Sequence, residues 1–140
     1  ILPFLTAKAQ RSQRMTKEDE LSNRILGAAI EVHRHLGPGL LESAYEEALA
    51  KEFSIQGILF KRQISMPLVY KGTKLDCGYR LDFLVDDVVV VELKSVEGFA
   101  PIHEAQALTY LRLTGCKLCM LINFNVPMLK EGIKRVVFGL

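Results

Sequence analysis

Tryptophan is absent from the 140 residues, and cysteine is limited to Cys77, Cys116 and Cys119. Three thiols do not make the closed disulfide framework of a small secreted scaffold, and their number is ordinary for a reducing compartment. Long apolar runs are missing too. The four valines Val88–Val91 fall far short of the ~18–20 residues that cross a bilayer. Charge of one sign is scarce: 18 Lys and Arg stand against 16 Asp and Glu. The small excess is local, because Lys8, Arg11 and Arg14 lie in residues 1–14, which hold no acid. The rest carries fifteen bases against sixteen acids. Binding to a polyanion therefore has to come from a local patch, not from a global field. Aromatics make up only 8%, and few are placed for base stacking, so sequence-specific readout is not indicated.

What is present is a core. A hydrophobic fraction of 49% with almost no net charge excludes intrinsic disorder, and the length admits one compact domain. The chain opens on Ile1, and Ile1–Leu5 lacks the longer apolar stretch and the preceding basic residues of a signal peptide. The expectation is a cytoplasmic protein with its natural start at or near Met15. Residues 1–14 would be an extension with no part in the fold, and residues 15–140 a single domain.

Periodicity divides the domain. Thr16 and Asp19 form an N-cap pattern, followed by apolar residues at helical spacing (Leu21, Ile25, Ala28, Ala29, Val32, Leu36) and a stop at Gly37-Pro38-Gly39. A second helix is expected over about Leu41–Gln56, with Leu41, Ala44, Tyr45, Ala48, Leu49 and Phe53 as its apolar stripe. Residues 58–75 read as two strands, with Pro67 at an edge or bulge and Lys71-Gly72 as a turn. Strands follow at Tyr79–Val85 and Val88–Lys94, then a helix at Pro101–Thr114 and a strand at Lys117–Asn123. A turn near Pro127–Leu129 and a last strand at Ile133–Phe138 complete the order. Two helices, strands, a helix and further strands make an α/β sandwich on a mixed sheet.

The informative element is the strand Val88–Lys94. Its valines do not alternate with polar residues, so both faces are buried, yet it ends in Glu92-Leu93-Lys94. Burying such charges is costly unless they pair or meet a metal. Asp82 lies one strand earlier. A three-residue loop over 86–88 would pair Val85 with Val89 and set Asp82 opposite Glu92, with Lys94 on the same face. Two facing carboxylates repel, and a divalent cation relieves the repulsion. Oxygen ligands with open water positions suit Mg²⁺ or Mn²⁺, and Lys94 could activate the attacking water or stabilise charge on a phosphate. The bland alternative is a surface hairpin with an ordinary acid–lysine pair. On the following helix, His103, Gln106 and Tyr110 share one face by spacing, which also fits a solvated face with Tyr110 packed on the sheet. Glu42, in the first turn of the second helix, equally suits a simple helix-dipole role.

Three stretches together carry a family resemblance. Gly39-Leu40-Leu41-Glu42-Ser43-Ala44-Tyr45 resembles the signature of the GxxExxY protein family. Asp82 with Glu92-Leu93-Lys94 resembles the core of the PD-(D/E)XK nuclease superfamily, although Leu81 stands where that name has proline. Gln106-Ala107-Leu108-Thr109-Tyr110 resembles the Q-x-x-x-Y element of its RecB-like members. The resemblance runs from about Asp19 to Phe138. It implies a restriction-endonuclease-like αβββαβ core, with a mixed central sheet flanked by helices, and a metal-dependent nuclease hydrolysing phosphodiester bonds in a nucleic acid, DNA or RNA. Asp82 and Glu92 would ligate Mg²⁺ or Mn²⁺, with the Leu93 carbonyl as a further ligand and Glu42 reaching the ion directly or through water. Lys94 would be the catalytic lysine, and Gln106 and Tyr110 would position it, the attacking water or the phosphate. A homodimer would let two sites cut two strands. The fold also hosts proteins without turnover, so an inactive module binding nucleic acid or a protein partner is the alternative.

Weaker signals surround these. Lys61, Arg62, Lys71, Lys74 and Arg80 cluster on the predicted strands, where they would contact phosphates or simply solvate a sheet edge. His103 shares the Gln106 face and joins this set as a nucleic-acid contact. His33 and His35 suit the end of the first helix. Cys116 and Cys119 make a CxxC without a second pair, and they read as core cysteines rather than zinc ligands.

Overall fold

The structure, a computed structural model, describes residues 15–139. Residues 1–14, and with them the expectation of a foldless extension, lie outside the described residues. The first helix, α1 (Lys17–Leu36), begins on a reciprocal cap. The Thr16 hydroxyl accepts from the Asp19 N–H at 3.0 Å, and the Asp19 carboxylate accepts from the Thr16 N–H at 3.3 Å. Leu21, Ile25, Ala28, Ala29 and Val32 are buried along one face, whereas Leu36, last before Gly37, reaches solvent. The second helix, α2 (Glu42–Gln56), starts one residue later than expected. Leu41 sits at its N-cap and is exposed, as is Ala44, so the buried stripe runs through Tyr45, Leu49, Ala50 and Phe53.

Residues 58–75 give three strands, not two. β1 (Phe60–Ser65) joins the main sheet, while β2 (Leu68–Tyr70) and β3 (Thr73–Leu75) form a separate hairpin. Pro67, which has no N–H to donate, separates β1 from that hairpin. Lys71 and Gly72 both hold positive φ (+48° and +79°) in its two-residue turn, as a primed turn requires. The chain continues through β4 (Arg80–Val85), β5 (Val89–Lys94), α3 (Pro101–Thr114) and β6 (Leu118–Asn123). A short 3₁₀ turn (Leu129–Gly132) then leads into β7 (Ile133–Val137). The main sheet has the order β1-β4-β5-β6-β7. β5 and β6 are parallel and the other neighbours antiparallel. This is the expected mixed sheet flanked by helices.

Two cores cover the sheet. On one face Leu21, Ile25, Leu49 and Phe53 from α1 and α2 pack against Phe83, Val89, Val91 and Leu93. On the other, Ala107, Tyr110 and Leu111 from α3 pack against Leu81, Val90, Cys119 and Leu121. Covered on both sides, β5 and β6 explain the unbroken apolar runs of Val89–Val91 and Leu118–Ile122. No helix among the described residues is long and apolar enough to cross a membrane.

Candidate active site

The turn between β4 and β5 occupies residues 86–88, with Asp86 and Asp87 at positive φ and the Val88 N–H donating to the Val85 carbonyl at 2.9 Å. The odd loop sets the anticipated register: Val85 faces Val89, Leu84 faces Val90 and Phe83 faces Val91. The backbone ladder ends there, one position before Asp82 and Glu92. Beyond it the two carboxylates bridge the strands themselves. Glu92 Oε1 accepts from the Asp82 N–H at 2.9 Å, and Asp82 Oδ2 accepts from the Leu93 N–H at 2.7 Å. The simple cross-strand pair expected from the sequence is thus an opened ladder, with each acid braced against the other strand's main chain.

Electrostatics follow from this enclosure. Glu92 is 4% exposed. Burial, and then the adjacent Asp82 charge, push its carboxyl up to about 8. Burial also raises Asp82, with the Glu46 charge adding to it, while the Leu93 N–H and the Lys94 ammonium act in the opposite sense. Glu42 is raised by partial desolvation, opposed by Lys94 and reinforced by Asp82 and Glu46. Four acids and one lysine therefore sense one another at this end of the sheet.

Lys94, on the last position of β5, donates to Gln106 Oε1 at 3.4 Å. The face expected to carry His103, Gln106 and Tyr110 divides. Gln106 meets Lys94. Tyr110 is buried with its ring edge-on to Tyr79 at 6.5 Å, and burial with the nearby Glu92 and Asp82 charges raises its hydroxyl well above the usual range. His103 turns back to its own helix end, where Nδ1 accepts from the Ala100 N–H at 3.0 Å and the ring packs near Phe99.

Glu42 is placed by a clipped loop. The Tyr45 hydroxyl donates to the Gly37 carbonyl at 2.6 Å and accepts from the Leu40 N–H at 3.1 Å, and its ring stacks on Phe124 at 4.4 Å. Gly39 holds φ +94°, which favours glycine there. Ser95, just past β5, donates to the Leu40 carbonyl at 2.7 Å and ties this loop to the strand that bears Glu92 and Lys94. The spacing of Gly39, Glu42 and Tyr45 thus has a mechanical reading: the glycine bends the loop, the tyrosine fastens it, and the glutamate is held between them.

The basic residues do not act together. Lys61 pairs with Asp87 at 2.9 Å. Arg62 pairs with Glu46 at 2.6 Å and Glu47 at 2.8 Å while lying 6.0 Å over the Phe83 ring, which braces β1 against α2. Lys74 and Arg80 are exposed and form no ion pair among the described residues. Cys119 is buried and its thiol is pushed up by that burial, Cys116 is half-buried, and Cys77 is exposed. Sequence reasoning did not single out Glu46, Gln63 or Asn123. Glu46 follows Glu42 by one helical turn, a signal that was legible. Gln63 donates to Asp82 Oδ1 at 3.4 Å and to Glu46. Asn123 is buried and holds Val96 from both sides, donating to its carbonyl at 2.9 Å and accepting from its N–H at 3.1 Å.

Among the described residues, no three His, Cys, Asp or Glu side chains converge closely enough to hold an ion between them. The donor set is nevertheless of one chemical kind. Asp82, half-buried, and Glu92, buried, are hard oxygen donors, and each commits one oxygen to a main-chain N–H. Such a set fits a hard divalent cation that keeps several water ligands and does not need an all-protein cage. No curated protein and no solved structure gives a significant match to the chain. A family model described as the PD-(D/E)XK nuclease superfamily matches residues 19–136, from the first turn of α1 to β7. With most of its length so matched, and with Asp82 and Glu92-Leu93-Lys94 meeting at the opened end of the β4–β5 pair, the chain belongs to the PD-(D/E)XK nuclease superfamily.

Proposed function

We propose that the protein is a Mg²⁺- or Mn²⁺-dependent nuclease that hydrolyses phosphodiester bonds in DNA or RNA. The observation that carries this reading is the pairing of the half-buried Asp82 with the buried Glu92, with Lys94 beside them and hydrogen-bonded to Gln106. A scaffold gains nothing from setting two carboxyls together where desolvation and mutual repulsion oppose the ionisation of Glu92. Asp82 and Glu92 would hold the cation, with Glu42 and the Leu93 carbonyl as further oxygen donors. When bound, it supplies Lewis-acid stabilisation of the phosphoryl group and a nucleophile at neutral pH.

The chain's own groups have separate tasks. The Lys94 ammonium would offset negative charge that develops on the phosphoryl oxygens, and a preoriented cation lowers such a barrier. Gln106 limits the rotamers of Lys94 through their hydrogen bond. Tyr110 keeps its proton and serves as a buried wall and donor, not as a base. Within the basic cluster, Lys71, Lys74 and Arg80 have charge to offer a phosphate backbone, whereas Lys61, Arg62 and His103 are engaged within the fold.

Cleavage of single- and double-stranded DNA and RNA with Mn²⁺, Mg²⁺ or EDTA tests the proposal. The expected result is metal-dependent cleavage that falls about 10²-fold or more in both Asp82→Ala and Lys94→Ala. Nucleic-acid binding without cleavage under any of these conditions would overturn the enzyme reading in favour of a binding module.

A further inference from the structure

Gln63 stands in the interior of β1 with φ +50°, a left-handed conformation that a glutamine rarely adopts. Its neighbours Arg62 and Ile64 face Phe83 and Leu81, so by count Gln63 lies opposite Asp82. Both strands change sides of the sheet at this level. Phe60 packs into the core under α1 and α2, whereas Ile64, at an even spacing from it, packs under α3. On β4, Phe83 belongs to the first core and Leu81 to the second, again against strict alternation. The left-handed residue and the acid mark the same crossing point.

The side chain of Gln63 uses that crossing. Its Nε2 donates to Asp82 Oδ1 at 3.4 Å and to the Glu46 carboxylate, which is itself held by Arg62 at 2.6 Å. A chain of contacts thus runs from Arg62 through Glu46 and Gln63 to the Asp82 oxygen that does not bind the Leu93 N–H. We propose that Gln63 is a positioning residue of the site. Its left-handed backbone brings the carboxamide onto Asp82 Oδ1, so the Asp82 carboxylate is fixed from both ends before any ligand arrives. Conformational strain at Gln63 is the cost of that placement. The inference rests on the reading of Asp82 as a ligand of a divalent cation.

Two variants of the full chain separate strain from positioning. Gln63→Gly removes both the carboxamide and the Cβ that makes φ +50° costly, whereas Gln63→Ala removes the carboxamide alone. Thermal melting is followed without metal and through a Mn²⁺ titration. The expected result is that Gln63→Gly melts above Gln63→Ala without metal. Both should need about tenfold more Mn²⁺ than wild type for half of the stabilising shift, the usual scale for a lost supporting contact to a ligand. Wild-type Mn²⁺ affinity in both variants would overturn the positioning role and leave the metal site intact. Melting of Gln63→Gly below Gln63→Ala would overturn the strain. A wild-type protein that does not respond to Mn²⁺ would overturn the metal reading itself, and with it a role for Gln63 in that site.

Discussion

Glu92 shows how much one buried carboxyl governs. Its folded-state value of about 8 lies above the ordinary 4.5 because burial and the Asp82 charge both disfavour ionisation. The folded protein therefore holds a proton that the unfolded chain releases between these values. The stability from this group is fully present below about pH 4.5 and is lost as pH rises through about 8. Without metal, the melting temperature of the wild type is expected to fall over that window by on the order of 10 °C, a few kcal/mol for a domain of this size. Glu92→Gln, which cannot ionise, should show a clearly smaller fall in the same scans. Equal slopes in the two proteins would remove the buried charge from the explanation. At this scale the sequence was informative where chemistry depended on strand order. The juxtaposition of Asp82 with Glu92 was legible because the valine run announced a buried strand and an odd loop sets that register. Gln63 was not, because its contact arises from a positive φ that no local pattern near Arg62-Gln63-Ile64 announces. His103 lies on the helix that bears Gln106, and its Nδ1 takes up the Ala100 N–H, a local contact that helical spacing alone does not announce.

Helices and strands were readable in proportion to their length and their punctuation. α1 and α3 run where their caps and glycines put them, from Thr16 to Gly37 and from Pro101 to Gly115. The Lys71-Gly72 turn of the β2–β3 hairpin is legible, but the break between β1 and β2 is not, because a three-residue strand is too short to show a period. The return from β6 to β7 depends on a close approach that the sequence marks only by a glycine. A Cβ on Gly132 would lie 2.1 Å from the Asn123 carbonyl oxygen, a main-chain atom at the end of β6. Gly132→Ala is therefore expected to destabilise by about 3 kcal/mol in chemical denaturation, since the contact is relieved only by moving backbone. A loss below about 0.5 kcal/mol, the range of ordinary surface substitutions, would show that the 3₁₀ turn yields freely.

Across the whole molecule, the sheet works as a partition. Its centre is sealed by one core under α1 and α2 and another under α3, and its charged end gathers residues from α2, β1, β4, β5 and α3. The two cores fix the strands on which the acids sit, while the Ser95–Leu40 and Tyr45–Gly37 hydrogen bonds bring the Glu42 loop to the same end. The fold class was legible from the order of elements, because only a sheet covered on both faces accommodates Val89–Val91 and Leu118–Ile122 together. The opened ladder at Asp82 and Glu92 was not, because it depends on two side chains displacing main-chain pairing across strands. This opened pair is the proposed cation site. Calorimetric titration of Mn²⁺ into wild type and Asp82→Asn at pH 7, repeated in buffers of different ionisation heat, addresses it directly. The expected result is one site per chain in the wild type, with release of roughly one proton as Glu92 ionises, and loss of binding in Asp82→Asn. No Mn²⁺ binding by the wild type, or binding that Asp82→Asn leaves unchanged, would contradict it.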